Sequence, residues 1–393
     1  MTAKETEAKL FFHTYKRLPL EVERGEGCYI FTTDGKKYLD MFSGLAVNAL
    51  GYAHPAVIKA VDEQMRKYTH LSNFFIQTPQ LQLAERLLAL SGYDKIFFSN
   101  SGTEAIEGTI KLVRKWGKTN GKSMIFGMSN GFSGRTMGAL SLMDKEKYRA
   151  GYEPFLPEFG TIDFNNVADL RARVNEHTVA IFLECIQGEG GIVAVTVEFA
   201  KVLMELREQY GFLIVADEIQ SGIGRTGTLF AFQHFGITPD IITIAKPIGG
   251  GLPVGAIIGS KKVADVWSYG VHGTTFGGNP VACAAGIATI DTIMTETFLK
   301  NVNETAAYCT AKVLELQKRF SVIKEIRVYG YMIGIDLSVD SAPIVDSMLQ
   351  KGVLVNSTAN TVIRILPPLI AGKDEFDIMV KTLESVLIEF TSK

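Results

Sequence analysis

The sequence predicts an α/β protein: a mostly parallel central sheet flanked by helices, followed by a smaller α+β domain. Three observations carry this. Short apolar runs alternate with helical periodicity from about residue 95 to residue 259, the pattern of βαβ units. The 38 glycines cluster in short runs beside those apolar segments, which suits loops that close around a ligand. After about Pro280 a long helical stretch leads into strand-like segments and a last helix.

Residues 28–41 read as a hairpin, with runs at 29–33 and 37–41 around Asp34-Gly35, a two-residue turn signal. Strands are expected at 95–98, 123–127, 179–183, 212–216, 241–244 and 255–259, with helices such as 103–115 and 197–210 between them. The helical region 280–320 precedes strands at 325–328, 332–337, 354–356 and 362–366 and a helix at 374–390. The expected division is an N-terminal segment, 1–50, packing with the small domain, a large domain, 51–285, and a small C-terminal domain, 286–393.

A chain of 393 residues allows two or three domains, and 47% hydrophobic with 21% charged residues reads as globular. A net charge of −2 offers no electrostatic footprint for nucleic acid. Cys28, Cys185, Cys283 and Cys309 form no C-x-x-C pair. They suit a reducing, cytoplasmic setting and argue against a thiolate metal site. The six histidines lack ligand spacing, so no metal is expected. The N-terminus is charged and then only briefly apolar, unlike a signal peptide, and no run of about 18 apolar residues calls for a membrane span.

The chemistry gathers at strand ends. Lys246 closes the apolar run Ile241-Ile242-Thr243-Ile244-Ala245 and opens Pro247-Ile248-Gly249-Gly250-Gly251. Open α/β sheets bind ligands at such C-terminal strand tips. Apolar surroundings lower a lysine pKa from about 10.4 and make it an amine nucleophile. Glu184 and Asp217 end two further apolar runs, so all three tips face one crevice. Asp217 alone reads equally well as half of a structural ion pair; its other reading is a partner for a protonated ring nitrogen.

Ser101-Gly102-Thr103-Glu104 follows the strand at 95–98 and starts a helix with capping-box spacing. Free N–H groups and hydroxyls there suit a phosphate, although a plain N-cap reads the same in isolation. The loop Gly273-Thr274-Thr275-Phe276-Gly277 offers more donors to the same anion. Phe132, near Gly131 and Gly134, can stack on a flat ring or simply tuck under a turn. Arg135 can bind a carboxylate or cap a helix. An amine, an acid, an anion cup and a stacking ring make the inventory for pyridoxal 5'-phosphate.

In these residues the chain resembles the class III (subgroup II) aminotransferases of fold type I, and most nearly their acetylornithine/ornithine branch. The resemblance runs from about Gly27 to Glu389. It rests on Asn100-Ser101-Gly102-Thr103-Glu104-Ala105, Gly134-Arg135-Thr136, Gln187-Gly188-Glu189-Gly190-Gly191, the run from Asp217 to Gly227, Thr275-Phe276-Gly277-Gly278-Asn279-Pro280 and Arg364-Ile365-Leu366-Pro367-Pro368. It implies that Lys246 holds the cofactor as a Schiff base, Asp217 pairs with the ring nitrogen and Gln220 sits near the ring hydroxyl. Ser101, Gly102 and Thr103 would bind the phosphate, with Thr275 reaching it from the other subunit of a homodimer. Phe132 would stack on the ring, with Glu184 nearby. Arg135 and Arg364 would bind substrate carboxylates, and Glu189 would pair with an arginine when only one carboxylate is present.

The resemblance implies transfer of the terminal amino group of acetylornithine, or a related ω-amino acid, to 2-oxoglutarate. Ornithine, 4-aminobutyrate and lysine are rival donors. A 2,1-aminomutase or racemase on the same scaffold is a more distant rival, and a cofactor-free binding protein more distant still. Ser133, Cys185, Pro247 and Tyr52-Ala53 depart from the common pattern. Ser133 and the Tyr52 region are expected on the substrate side of the pocket.

Overall fold

The computed structural model describes residues 3–392. Near the N-terminus, β1 (Val22–Glu26), β2 (Tyr29–Thr32) and β3 (Lys37–Asp40) form an antiparallel meander. The last pair of the hairpin is Phe31 with Lys37, and the Thr32 N–H donates to the Lys36 carbonyl. The turn therefore holds three residues, Thr33, Asp34 and Gly35, not two. Gly35 takes φ +79°, a conformation that costs any other residue free energy.

The chain next lays down β4 (Lys95–Ser99), β5 (Met124–Met128), β6 (Phe159–Ile162) and β7 (Thr178–Leu183). A short ribbon, β8 (Ile186–Gln187) with β9 (Val193–Ala194), follows. Then come β10 (Leu213–Asp217), β11 (Ile241–Ile244) and β12 (Gly255–Gly259). Apart from the ribbon, these form one seven-stranded sheet in the order β4-β12-β11-β10-β7-β5-β6. Only β12 runs against the rest. Sequence reading missed β6 in this sheet, and β1, β8 and β9 outside it. β6 is short, glycine-containing and only half-buried at the sheet edge, so it lacks the apolar signature of its neighbours.

Helices cover both faces. The helix Gly102–Thr119 buries Ala105, Ile106, Thr109, Ile110, Leu112, Val113 and Trp116 and exposes Lys111, Arg114 and Lys115. That spacing sets one apolar stripe on the sheet, where it packs with Val215, Ile241 and Ile257. The helix Val197–Tyr210 buries Phe199, Leu203 and Leu206 against Ile181, Leu183 and Ile214 on the opposite face. Each such side chain contributes about 1.5–3 kcal/mol of burial. Covered on both sides, β7, β10 and β11 are buried throughout, which explains their unbroken apolar runs.

The expected helical stretch 280–320 is two helices, Pro280–Ile293 and Glu296–Arg319, meeting at 68°. Met294 closes the first helix and Thr295 caps the second, its hydroxyl accepting from the Phe298 N–H. Among the described residues no single helix is long and apolar enough to cross a membrane. β13 (Ile323–Tyr329), β14 (Met332–Leu337), β15 (Val353–Leu354), β16 (Asn356–Thr358) and β17 (Val362–Ile365) follow, then the helix Lys373–Thr391. β13, β14, β17 and β16 make a second sheet in that order, whereas β15 pairs in parallel with β3. The segment expected as one strand at 354–356 is thus split between two sheets. The N-terminal meander shares its sheet with β15, not with the central strands.

Gly127 in β5 tests the packing beneath the loop that carries Phe132. A Cβ there would fall on the backbone oxygen of Leu142, which cannot swing aside as a side chain tip can. Gly127→Ala is expected to lower the unfolding free energy by about 2–3 kcal/mol, read as a shift in denaturation midpoint. An unchanged midpoint would contradict this packing.

Candidate active site

Three adjacent parallel strands, β7, β10 and β11, bring Glu184, Asp217 and Lys246 to one edge of the sheet. All three line a cavity of about 320 Å³. Lys246 sits two residues past β11, at φ +46°, in the left-handed region that costs a side-chain-bearing residue about 1–2 kcal/mol. Among the described residues no hydrogen bond or ion pair within 4.0 Å engages its Nζ. Burial lowers its pKa, and the Arg364 charge lowers it further, against the opposing pull of Asp217, Glu184 and Glu189. The amine is thereby shifted toward its neutral, nucleophilic form.

The acids are held from behind. Asp217 accepts from the Ile219 N–H at 3.0 Å. Burial raises its pKa to about 7, partly offset by that N–H and by Lys246. Glu184 accepts from the Phe132 N–H at 2.9 Å and the Gly188 N–H at 3.2 Å. Its pKa is also raised, by burial first and then by the Asp217 charge. Glu218, next along, faces away and ties down Ala231, Phe232 and Ser221. The buried guanidinium of Arg225 donates to the Pro367 and Tyr331 carbonyls, fixing the segment after Asp217 to the chain just beyond Arg364.

The anion cup forms as the sequence suggests, with one change. The Ser101 hydroxyl accepts from the Glu104 N–H at 3.2 Å. The Glu104 carboxylate, however, returns to the Asn100 N–H and side chain at 2.8 Å instead of to Ser101. The capping box is therefore displaced by one residue. The N–H groups of Ser101, Gly102 and Thr103 find no acceptor among the described residues, so the helix start keeps its donors for an anion. Gly102 lies against Ile219, and Gly134 against the Thr103 hydroxyl, closer than a Cβ permits.

At the far wall, Arg364 on β17 is 1% exposed. Its guanidinium donates to Glu189 at 2.6 Å, Asn356 at 2.7 Å and Gln220 at 3.4 Å. Burial pushes the Glu189 pKa upward, but Arg364, with Lys246 and Lys145, outweighs it and holds the carboxyl below its ordinary value.

The cavity thus gathers Ser101, Gly102, Thr103, Phe132, Glu184, Glu189, Asp217, Gln220 and Lys246, with Arg364 directly behind. Two expected residues lie outside it. Arg135 is exposed and stacks over the Tyr148 ring at 3.9 Å. Thr275 opens onto a separate cleft of about 800 Å³ that also holds Phe74, 96% exposed, and Tyr269.

Ser133 lines the cavity, but Tyr52 does not. Its hydroxyl donates to Asp40 at 2.6 Å and its ring lies against Gly25, so the expectation that it faces the substrate side is corrected. Cys185 is buried beneath the ribbon, its thiol pKa raised by burial. Sequence reading passed over Ile219, Val47 and Leu252, which also line the cavity. Ile219 was findable, two residues past Asp217; the others carry no chemical signal.

An unpaired amine, a buried acid and an unsatisfied set of N–H donors, all on one cavity at a strand-tip edge, fit pyridoxal 5'-phosphate. Fold and site together define a pyridoxal-phosphate enzyme. The family described as Aminotransferase class-III matches residues 11–387. An acetylornithine aminotransferase of Methanocaldococcus jannaschii is 42% identical, covering 98% of each chain. Among solved structures, the ornithine aminotransferase of Toxoplasma gondii superposes with a TM-score of 0.94 at 28% identity, covering 99% of this chain and 95% of that one. The N-acetylornithine aminotransferase of Stenotrophomonas maltophilia gives 0.85 at 32%, covering 96% and 98%. The chain belongs to the class III aminotransferases. Its substrates are small amino acids and 2-oxo acids.

The Asp217 pKa sets a pH test. Its folded value, about 7 against an ordinary 3.8, means that ionising it in the cofactor-free protein is unfavourable. That penalty is absent below pH 3.8 and complete above about pH 7. Cofactor-free Asp217→Asn should therefore gain thermal stability over the parent as pH rises from 5 to 8. A difference that does not vary with pH would contradict it.

Proposed function

We propose that this protein transfers the terminal amino group of acetylornithine, or a closely related ω-amino acid, to 2-oxoglutarate, giving a semialdehyde and glutamate in two alternating half-reactions. The Arg364–Glu189 pair carries this reading. An ω-amino donor presents its amine to Lys246 with no second charge beside it. A cavity serving it should keep Arg364 neutralised, as Glu189 does at 2.6 Å. The oxo acid carries a carboxylate beside its reacting carbon, so Glu189 must then release Arg364. The M. jannaschii and S. maltophilia relatives support the same donor by their names.

The remaining roles follow from position. Pyridoxal phosphate, when bound, supplies the electron sink for breaking the C–H bond beside the amine. Lys246 Nζ would attach the cofactor, and as a free amine it would take the proton from that carbon as general base. Asp217, as a carboxylate, holds a proton on the ring nitrogen; the resulting pair removes the penalty of ionising it alone. Gln220 would border the ring hydroxyl, and Phe132 and Ile219, which line the same cavity, would confine the ring. Glu184 fixes the Phe132 loop through its backbone bond.

Ser101, Gly102 and Thr103 hold the phosphate. Arg135 binds the distal carboxylate of either substrate. Thr275 belongs to the phosphate site of a second copy: it stands on the exposed cleft with Phe74 and Tyr269, whose apolar surface suits a homodimer with shared active sites. The division at residues 50 and 285, and a cytoplasmic setting, complete the proposal.

Lys246→Ala should abolish turnover and the visible absorbance of the bound cofactor; a variant retaining both would overturn the assignment. Arg364→Ala should weaken the glutamate half-reaction about 100-fold, the scale of one lost charge-assisted contact, and the ω-amine half-reaction far less. Equal losses would remove its role.

A further inference from the structure

Glu189 faces a problem that the proposed reaction creates. Its carboxylate is 24% exposed and paired to an arginine that is 1% exposed. When a substrate carboxylate claims Arg364, Glu189 is left charged in a half-buried site, and an unpaired charge there is costly. Some other cation has to receive it.

The chain behind Glu189 offers one. Lys145 is half-buried, and its Nζ donates to the backbone carbonyl of Glu189 at 3.0 Å. No carboxylate lies within 4.0 Å of that ammonium among the described residues, so its charge is uncommitted. The segment around it is fixed. Asp144 accepts from the Asn130 N–H at 3.0 Å, and Tyr148 lies under Arg135. The Glu189 main chain is pinned as well, its carbonyl also accepting from the Thr358 hydroxyl at 3.1 Å. The two charges already act on one another, and with the backbone held, side-chain rotation is the movement left to bring the carboxylate to the ammonium. The other cations are committed elsewhere: Lys246 to the cofactor and Arg135 to the distal carboxylate.

We propose that Lys145 is the reserve partner of Glu189: when a dicarboxylic oxo acid claims Arg364, the Glu189 carboxylate moves from that guanidinium to the Lys145 ammonium. Lys145 is thus a positioning residue that lets one cavity accept both a monocarboxylic ω-amine and a dicarboxylic oxo acid. This rests on the Arg364–Glu189 reading above.

The test uses the cofactor-loaded enzyme and glutarate, an unreactive dicarboxylate, with binding followed by calorimetry. Lys145→Gln keeps a donor for the Glu189 carbonyl and removes the charge. It should raise the glutarate Kd, and the KM for 2-oxoglutarate, about tenfold, with the loss falling on KM and not on kcat. Lys145→Arg should restore both to within about threefold. In a Glu189→Gln background the Lys145 change should have no further effect, because no charge is left to receive. An unchanged glutarate Kd in Lys145→Gln, or failure of arginine to restore it, would overturn the role of Lys145. If Arg364→Ala also left glutarate binding untouched, the underlying pairing would fall instead.

Discussion

Lys246 occupies a position that a fold does not leave to chance: half-buried just past β11, φ positive, its amine facing three carboxylates without bonding to any. Such a lysine is expensive on two counts, backbone conformation and desolvation. The surrounding structure holds it there by enclosing β7, β10 and β11 between two helix-covered faces. The same enclosure raises the pKa of Glu184 and Asp217. Desolvation shifts the amine toward its neutral, nucleophilic form, and it leaves Asp217 in need of a cationic partner before it can ionise.

The acids differ in how they are stabilised, and that separates their tasks. Glu184 is tied to two backbone N–H groups and shapes the Phe132 loop. Asp217 has a single backbone donor, from Ile219, which leaves it able to meet a cationic ring. Glu189 instead leans on Arg364, a bond a competing carboxylate can replace. One cavity therefore contains a fixed carboxylate, one awaiting a partner and one exchangeable.

Much of this was legible from residue type and spacing. Apolar runs ending in Glu184, Asp217 and Lys246 stood out because strands buried on both faces admit charge only at their tips. The anion cup was visible because Ser, Gly and Thr at a helix start imply free donors. Other features left no such mark. β6 was invisible because an edge strand with glycine needs no apolar run. The break at Met294-Thr295 lacks Pro or Gly, so periodicity passed straight through it. Tyr52 was misplaced because only the fold reveals that Asp40 claims its hydroxyl. Lys145 sits in a loop of unremarkable composition, and its meaning depends on Glu189, 44 residues away.

The arrangement around β11 predicts a pyridine aldehyde tethered through the ε-nitrogen at position 246. Borohydride reduction of the loaded enzyme, followed by digestion and mass spectrometry, tests it directly. A phosphopyridoxyl group on Lys246 and on no other lysine is the expected result. The same group on a different lysine, or on none, would contradict the account.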